Sequence, residues 1–333
     1  MKKVSERGAI LLISLWILLL LTLLAFGLTY RISLEMRLAD YDRERSELFY
    51  LLHGALHQAS ATLGLDDPEV DSLQDPWAMP STSLADDPDS PISLGEGSFQ
   101  FTIEDEFSRI NLNTATAEAL SRIEGMESEV LRCLRFWRGD QDLDPSFVEG
   151  ERAYYRSLPR PIEREPAPLQ TLEELLLVRG MTPSLYETLQ SLGTVYGAGK
   201  ANLNTASKAA LVVLGLEESI AERLLLYRLG EDGEPATEDD RPFMGLEELS
   251  DADLFEAMDL ASDEQMKFNS FLSSHESVLT LRSDHFRIRA KALSPGLPGM
   301  TARAGKTGMT KELTAVLQRI AGGAAVIKYW HEE

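Results

Sequence analysis

The sequence predicts an α+β fold: a long N-terminal helix and a small antiparallel sheet, with a large all-α domain inserted into the sheet region. Three observations predict it. An uncharged apolar run at the N-terminus continues as an amphipathic repeat, alternating strand patterns flank a long helical stretch, and within that stretch the pentad Asn-Leu-Asn-Thr-Ala occurs twice.

The N-terminal helix comes first. From Ala9 to Tyr30 the only ionisable side chain is Tyr30. At about 1.5 Å per residue such a run crosses a hydrocarbon core of roughly 30 Å. Lys2, Lys3 and Arg7 precede it, which places that end in the cytoplasm and the remainder across the membrane. The run is too long for a cleaved secretory signal, whose apolar region is about 7–15 residues, and Ala25-Phe26-Gly27 is a poor cleavage pattern. From Arg31 to Leu63 there is no proline, and Ile32, Met36, Leu38, Tyr41, Leu48, Leu52, Ala55 and Ala59 recur at near-helical spacing. The expected helix therefore has a membrane segment at residues 9–30 and an amphipathic continuation at residues 31–63.

The strands follow. Phe99, Phe101 and Ile103 alternate with Gln100, Thr102 and Glu104. Near the other end, Val278–Leu281 and Phe286–Ala292 read as paired strands around Ser283-Asp284. In the second of these, Arg287, Arg289 and Lys291 are expected to face water. Thr314–Ile320 and Ala325–Trp330 read as a hairpin joined through Gly322-Gly323. A lone strand ahead of the helices is not stable by itself, so it is expected to join the C-terminal strands. Residues 64–107 and 275–333 then form one α/β domain, with residues 108–274 inserted.

Within the insertion, Arg109 to Ala115 recurs as Lys200 to Ala206, and the pentad is identical in both copies. Asn113 or Thr114, and Asn204 or Thr205, are placed to cap a following helix. Each copy leads through Leu120 or Leu211 to a short turn and a second helix, Leu131–Arg138 or Ile220–Arg228. Between the copies, Thr171 and Glu174 read as a capping box opening an apolar helix that closes at Arg179-Gly180, and Thr182-Pro183 opens another. The single Cys133 excludes an internal disulfide framework and reads as a core residue.

The repeat is similar to the helix-hairpin-helix module of DNA-binding and competence proteins, which makes a membrane-anchored nucleic-acid receptor the alternative reading. In that module a Gly-x-Gly turn brings backbone N–H groups to a phosphate. Here Glu127 follows Gly125 where the second glycine is required, and Gly215 is followed closely by Glu217 and Glu218. With 54 acidic against 32 basic residues the net charge is −22, a surface that repels a phosphate backbone. No nucleic acid is expected as a partner. No Gly-x-Ser-x-Gly, P-loop or dinucleotide fingerprint occurs, and His53 and His57, one turn apart, lack a third ligand. A catalyst is not expected.

Two acidic loops are candidate cation sites. Asp140, Asp142 and Asp144 are spaced like the start of a calcium loop, with Glu149 and Glu151 nearby, but the central glycine and closing glutamate of an EF-hand are missing. The weaker candidate runs from Glu231 to Glu238, Asp239 and Asp240.

A short basic leader ending in Gly8, followed by Ala9 and an apolar helix, resembles a type IV prepilin signal. The resemblance implies cleavage between Gly8 and Ala9 by a prepilin peptidase, with the helix retained. One departure stands out: the fifth mature position, glutamate in most pilins, is Ile13. That glutamate pairs with the amine of the subunit ahead, so a subunit with none ahead would carry a buried, unpartnered carboxylate. With the pentads, residues 173–181 (Glu-Glu-Leu-Leu-Leu-Val-Arg-Gly-Met) and residues 283–288 (Ser-Asp-His-Phe-Arg-Ile), the leader resembles the minor pseudopilin K family of type II secretion systems. That resemblance implies a pilin-type helix, a single-pass inner-membrane location with the bulk periplasmic, and a tip complex with minor pseudopilins I and J. It further implies contact with the major pseudopilin and the inner-membrane secretion platform, and calcium bound in the helical domain.

Overall fold

The computed structural model describes residues 6–79, 81, 91–163, 165–237, 239–295, 308–320 and 325–332, with side chains from residue 10 onward. One helix opens the chain, α1 (Glu6–Leu65), followed by β1 (Ile92–Leu94) and β2 (Gly97–Asp105). The inserted region holds β3 (Ile110–Asn111), α2 (Ala117–Ser121), α3 (Ser128–Arg138), α4 (Pro145–Ser157), α5 (Pro183–Leu192), β4 (Gly193–Thr194), β5 (Ala201–Asn202), α6 (Lys208–Leu214), α7 (Glu218–Arg228), α8 (Ala252–Ala257) and α9 (Ser262–His275). Then come β6 (Leu279–Thr280), β7 (His285–Leu293), β8 (Thr310–Arg319) and β9 (Ala325–Glu332).

α1 is a single element of 60 residues with two environments. Its first part exposes Ile10, Leu15, Trp16, Phe26 and Leu28, while Leu48, Leu51, Leu52, Ala55, Leu56, Ala59 and Leu63 are buried. The buried positions fall three or four apart, so one stripe of the helix seats on the sheet. In the exposed part, Ser14, Thr22, Thr29 and Ser33 donate to carbonyls three or four residues back, which satisfies each hydroxyl without water.

The sheet runs β1-β2-β7-β8-β9, every neighbouring pair antiparallel. Phe101 lies opposite Ala290 and Ala290 opposite Leu313, while Ile103 lies opposite Ile288 and Ile288 opposite Ala315. Period-two alternation puts these residues on the face that meets α1, and Trp77 closes the same core. β2 therefore pairs with β7 across the helical insertion, as expected, and a short further strand, β1, lines its other edge.

Three local expectations are corrected. Residues 278–281 do not pair with residues 286–292. Leu279–Thr280 instead runs parallel to Ala201–Asn202 of the second repeat, because β7 is already hydrogen-bonded on both edges by β2 and β8. Arg287 does not face water: it is buried, and its Nε donates to Glu106 at 2.6 Å. Arg289 and Lys291 are exposed. The stretch after Thr171 is a six-residue 3-10 helix without a side-chain cap bond; Glu174 returns to the Gln170 N–H instead.

Candidate functional site

The exposed part of α1 is the first functional surface. An 18-residue stretch within it reaches a mean hydropathy of 2.8, and none of it is buried. Ile13 is on this surface, 58 % exposed. The first ion pair after the apolar run is Arg31–Glu35, at 3.0 Å. Among the described residues one helix is long and apolar enough to cross a membrane, and its first part lies exposed to whatever surrounds it. Gly8 and Ala9 are helical, but their side chains, with Lys2 and Lys3, lie outside the described set.

The twin pentads turn out to be structural fasteners. Asn113 and Asn204 do not cap helices: α2 is capped by Thr116 and α6 by Ser207, each a few residues later. Asn113 spends its amide on distant backbone, donating to Leu169 O at 2.9 Å and accepting from Leu169 N–H at 2.7 Å. Asn204 does the same with Phe243, at 2.9 and 2.8 Å. Neither Thr114 nor Thr205 caps a helix; the Thr205 hydroxyl donates to Asp105. A buried arginine from the second helix of each hairpin then reaches back to the same pentad. Arg138 donates to Leu112 O and Ala115 O, both at 2.8 Å, and Arg228 to Leu203 O and Ala206 O at 2.6 and 3.1 Å. Burial lowers the Arg228 guanidinium to about 10.

The hairpin turns present acids. Gly125 and Gly215 take φ of +80° and +114°, a region open to glycine. Glu127, Glu217 and Glu218 are exposed beside them. Lys267 pairs with Glu217 at 2.8 Å and Lys208 with Glu218 at 3.1 Å. Carboxylates flank both turns, and at the second they are already paired with lysines while Arg122 lies against Gly215.

The first acidic loop is knitted into the protein. Asp140 is held by Arg138 through two bonds (2.6 and 2.8 Å) and by Arg135 at 2.9 Å. Burial alone would raise its carboxyl, but the arginine hydrogen bonds outweigh it and hold it below the usual range. Asp142 pairs with Arg135, and Asp144 caps α4 by accepting from Ser146 and Phe147 N–H. Glu149 is exposed, and buried Glu151 pairs with Arg179 at 2.8 Å. The five acids thus have separate tasks in this conformation. In the second loop Asp239 accepts from the Glu231 and Asp232 N–H groups and sits at about 2, pulled down first by the Thr237 hydroxyl; Asp240 accepts from Ala236 N–H. Glu238 lies outside the described residues.

Sequence reading missed two convergences. Glu129, Cys133 and Glu151 offer one thiol and two carboxylates within 4.8 Å, a set that could meet a cation. Burial pushes the Cys133 thiol up to about 12, so it is a core thiol and not a nucleophile. Asp66, Asp71 and Asp75 also converge within 4.8 Å, around the Arg319 guanidinium. No spacing could reveal the second set, since its cation lies far along the chain.

Fold and surface together define an α+β protein, with an apolar helix continuous with its sheet core and a helical region built on two hairpins. Residues 127–198 match the family model described as type II secretion system (T2SS), protein K. A chain in the crystal structure of the GspK-GspI-GspJ complex from the enterotoxigenic Escherichia coli type 2 secretion system is similar at 16% identity and a TM-score of 0.60, over 89% of this chain and 99% of that one. No curated protein sequence matches. The matched segment is thus similar to protein K of that system, and the likeness to the solved chain is one of fold.

Proposed function

We propose that the chain is the tip subunit of a periplasmic pseudopilus, joining minor pseudopilins I and J and promoting assembly of the filament for export of folded proteins. The observation that carries the tip reading is Ile13. The helix presents an apolar side chain where a subunit lodged below another would need a carboxylate for its neighbour's amine. Residues 9–30 anchor it once in the inner membrane, N-terminus cytoplasmic, after a prepilin peptidase cuts between Gly8 and Ala9. The major pseudopilin packs beneath it, and the secretion platform drives it outward. The expected result is a one-to-one-to-one complex with minor pseudopilins I and J, together with a mature N-terminus at Ala9 by mass spectrometry. An intact Met1, or a cut near residue 27, would sink this reading. Salt-sensitive binding of duplex DNA would favour the competence-type receptor instead.

Calcium in the helical domain belongs to the same proposal, with Asp140, Asp142, Asp144, Glu149 and Glu151 as candidate ligands and Glu238, Asp239 and Asp240 as the weaker set. Because Asp140 and Asp144 also hold arginines and a helix end, removing them lowers stability with or without the ion. Asp142→Asn is the cleaner probe, its side chain being 74% exposed. It is expected to reduce the rise in Tm on adding calcium while changing the calcium-free Tm little. An unchanged calcium response removes this loop from consideration.

A further inference from the structure

Where the sheet meets the second repeat, four carboxylates and one guanidinium are drawn into one network. Arg319, the last residue of β8, donates from Nη2 to both Asp71 oxygens at 2.6 Å and to Ser283 O at 2.8 Å. Its Nη1 reaches Asp66 at 3.1 Å, just beyond the end of α1. Asp71 accepts from Ser283 N–H at 2.7 Å, and its carbonyl accepts from the Asn202 amide at 3.1 Å. Asp105, at the end of β2, accepts from Asn202 (3.2 Å), Thr205 (2.5 Å) and the Ser283 hydroxyl (2.7 Å). Asp75 accepts from Ser72 N–H at 2.6 Å and the Trp77 indole at 3.2 Å, with its carboxylate within 4.8 Å of those of Asp66 and Asp71.

Asn202 and Thr205 belong to the second repeat's pentad, so this network, beside the β5–β6 pairing, links that repeat to the sheet. Fully ionised, it gathers three carboxylates around Arg319, with a fourth, Asp105, held by neutral donors beside Asp71. The other charged groups packed around it are already matched: Asp284 faces His285, Glu106 beside Asp105 pairs with Arg287 and Arg109, and Arg228, which bonds the same pentad, lies near Asp240. Buried like charges this close cannot all ionise without strain on the structure that gathers them.

We propose that this junction is a proton-operated latch, holding the second repeat against the sheet while at least one of these carboxyls is protonated and loosening as all of them ionise. Burial raises Asp66 to about 7, helped by the charges of Asp75 and Asp71, and raises Asp71 and Asp105 to about 6. Asp75 is raised too, again by burial first. The unfolded chain ionises near 3.8. A carboxyl raised on folding favours the folded state when protonated, so the latch is tightest near pH 4 and weakens as pH climbs to about 7.

The test is amide hydrogen exchange of the full chain in detergent micelles between pH 5.5 and 8. Protection of the Ala201 and Leu203 amides, which bond the second repeat to Val278 and Thr280, and of the Ser283 amide on Asp71 is compared with that of the centre of β7. Their relative protection is expected to fall about tenfold or more across this range, and to fall less than about threefold in Asp66→Asn and Asp75→Asn chains. A flat wild-type ratio, or a wild-type slope kept in both variants, overturns the latch.

Discussion

The Arg138→Met chain is expected to lose about 3–5 kcal/mol of stability in its helical domain, the cost of removing one partner from a buried ion pair. Methionine keeps the apolar stem, so little packing is lost. The guanidinium is what goes: it is 7% exposed, donates to two carbonyls of the first pentad and clasps Asp140 with two bonds. Its removal leaves those carbonyls buried and unpaired, and Asp140 holding only Arg135. Trp137, next in the chain and buried in the same core, reports the loss directly by fluorescence during urea unfolding. Arg132→Met, at a 48%-exposed surface position, is expected to stay within about 0.5 kcal/mol. If the two variants unfold alike, the arginine does not fasten the repeat. Because Asp140 is held below its usual range, this stabilisation is present above about pH 4 and is lost as pH falls below it.

Phe286→Ala is expected to cost about 3–5 kcal/mol in the sheet domain, the range for emptying a buried aromatic site. Phe286 is fully buried, meets the Trp77 ring edge-on at 5.2 Å and lies under the Arg319 guanidinium at 5.0 Å. It also sits opposite Asp105 on one side and Leu317 on the other, so the cavity opens at the junction as well as in the core. A fall in Tm of the full chain in detergent measures it. Leu226→Ala, 58% exposed on α7, serves as the control and is expected to change Tm little. A small effect at Phe286 would mean that α1 and Trp77 close over the site without it.

Much of the architecture was legible because it is written in local periods. A spacing of three to four marks the stripe from Leu48 to Leu63, and a spacing of two marks Phe99, Phe101 and Ile103; both faces are buried as those patterns require. Thr182-Pro183 opens α5 with its hydroxyl bonded to Leu185 N–H, a signal that needs only neighbours. The pentads were legible as a repetition but not as a mechanism. Thr116 and Ser207 took the capping role, because Asn113 and Asn204 found better partners in backbone far along the chain.

The sequence by itself determined an apolar helix without a carboxylate at Ile13, an acidic surface unsuited to phosphate, and a helical domain set between strands. These follow from composition and short-range spacing, which need no knowledge of what packs against what. Only the tertiary structure decided that Arg287 is buried on Glu106, that β6 pairs with the second repeat, and that four aspartates gather around the junction at Arg319. Each depends on residues distant in sequence being desolvated together. The free energy of a buried charge is set by its neighbours in space, and no local pattern records them.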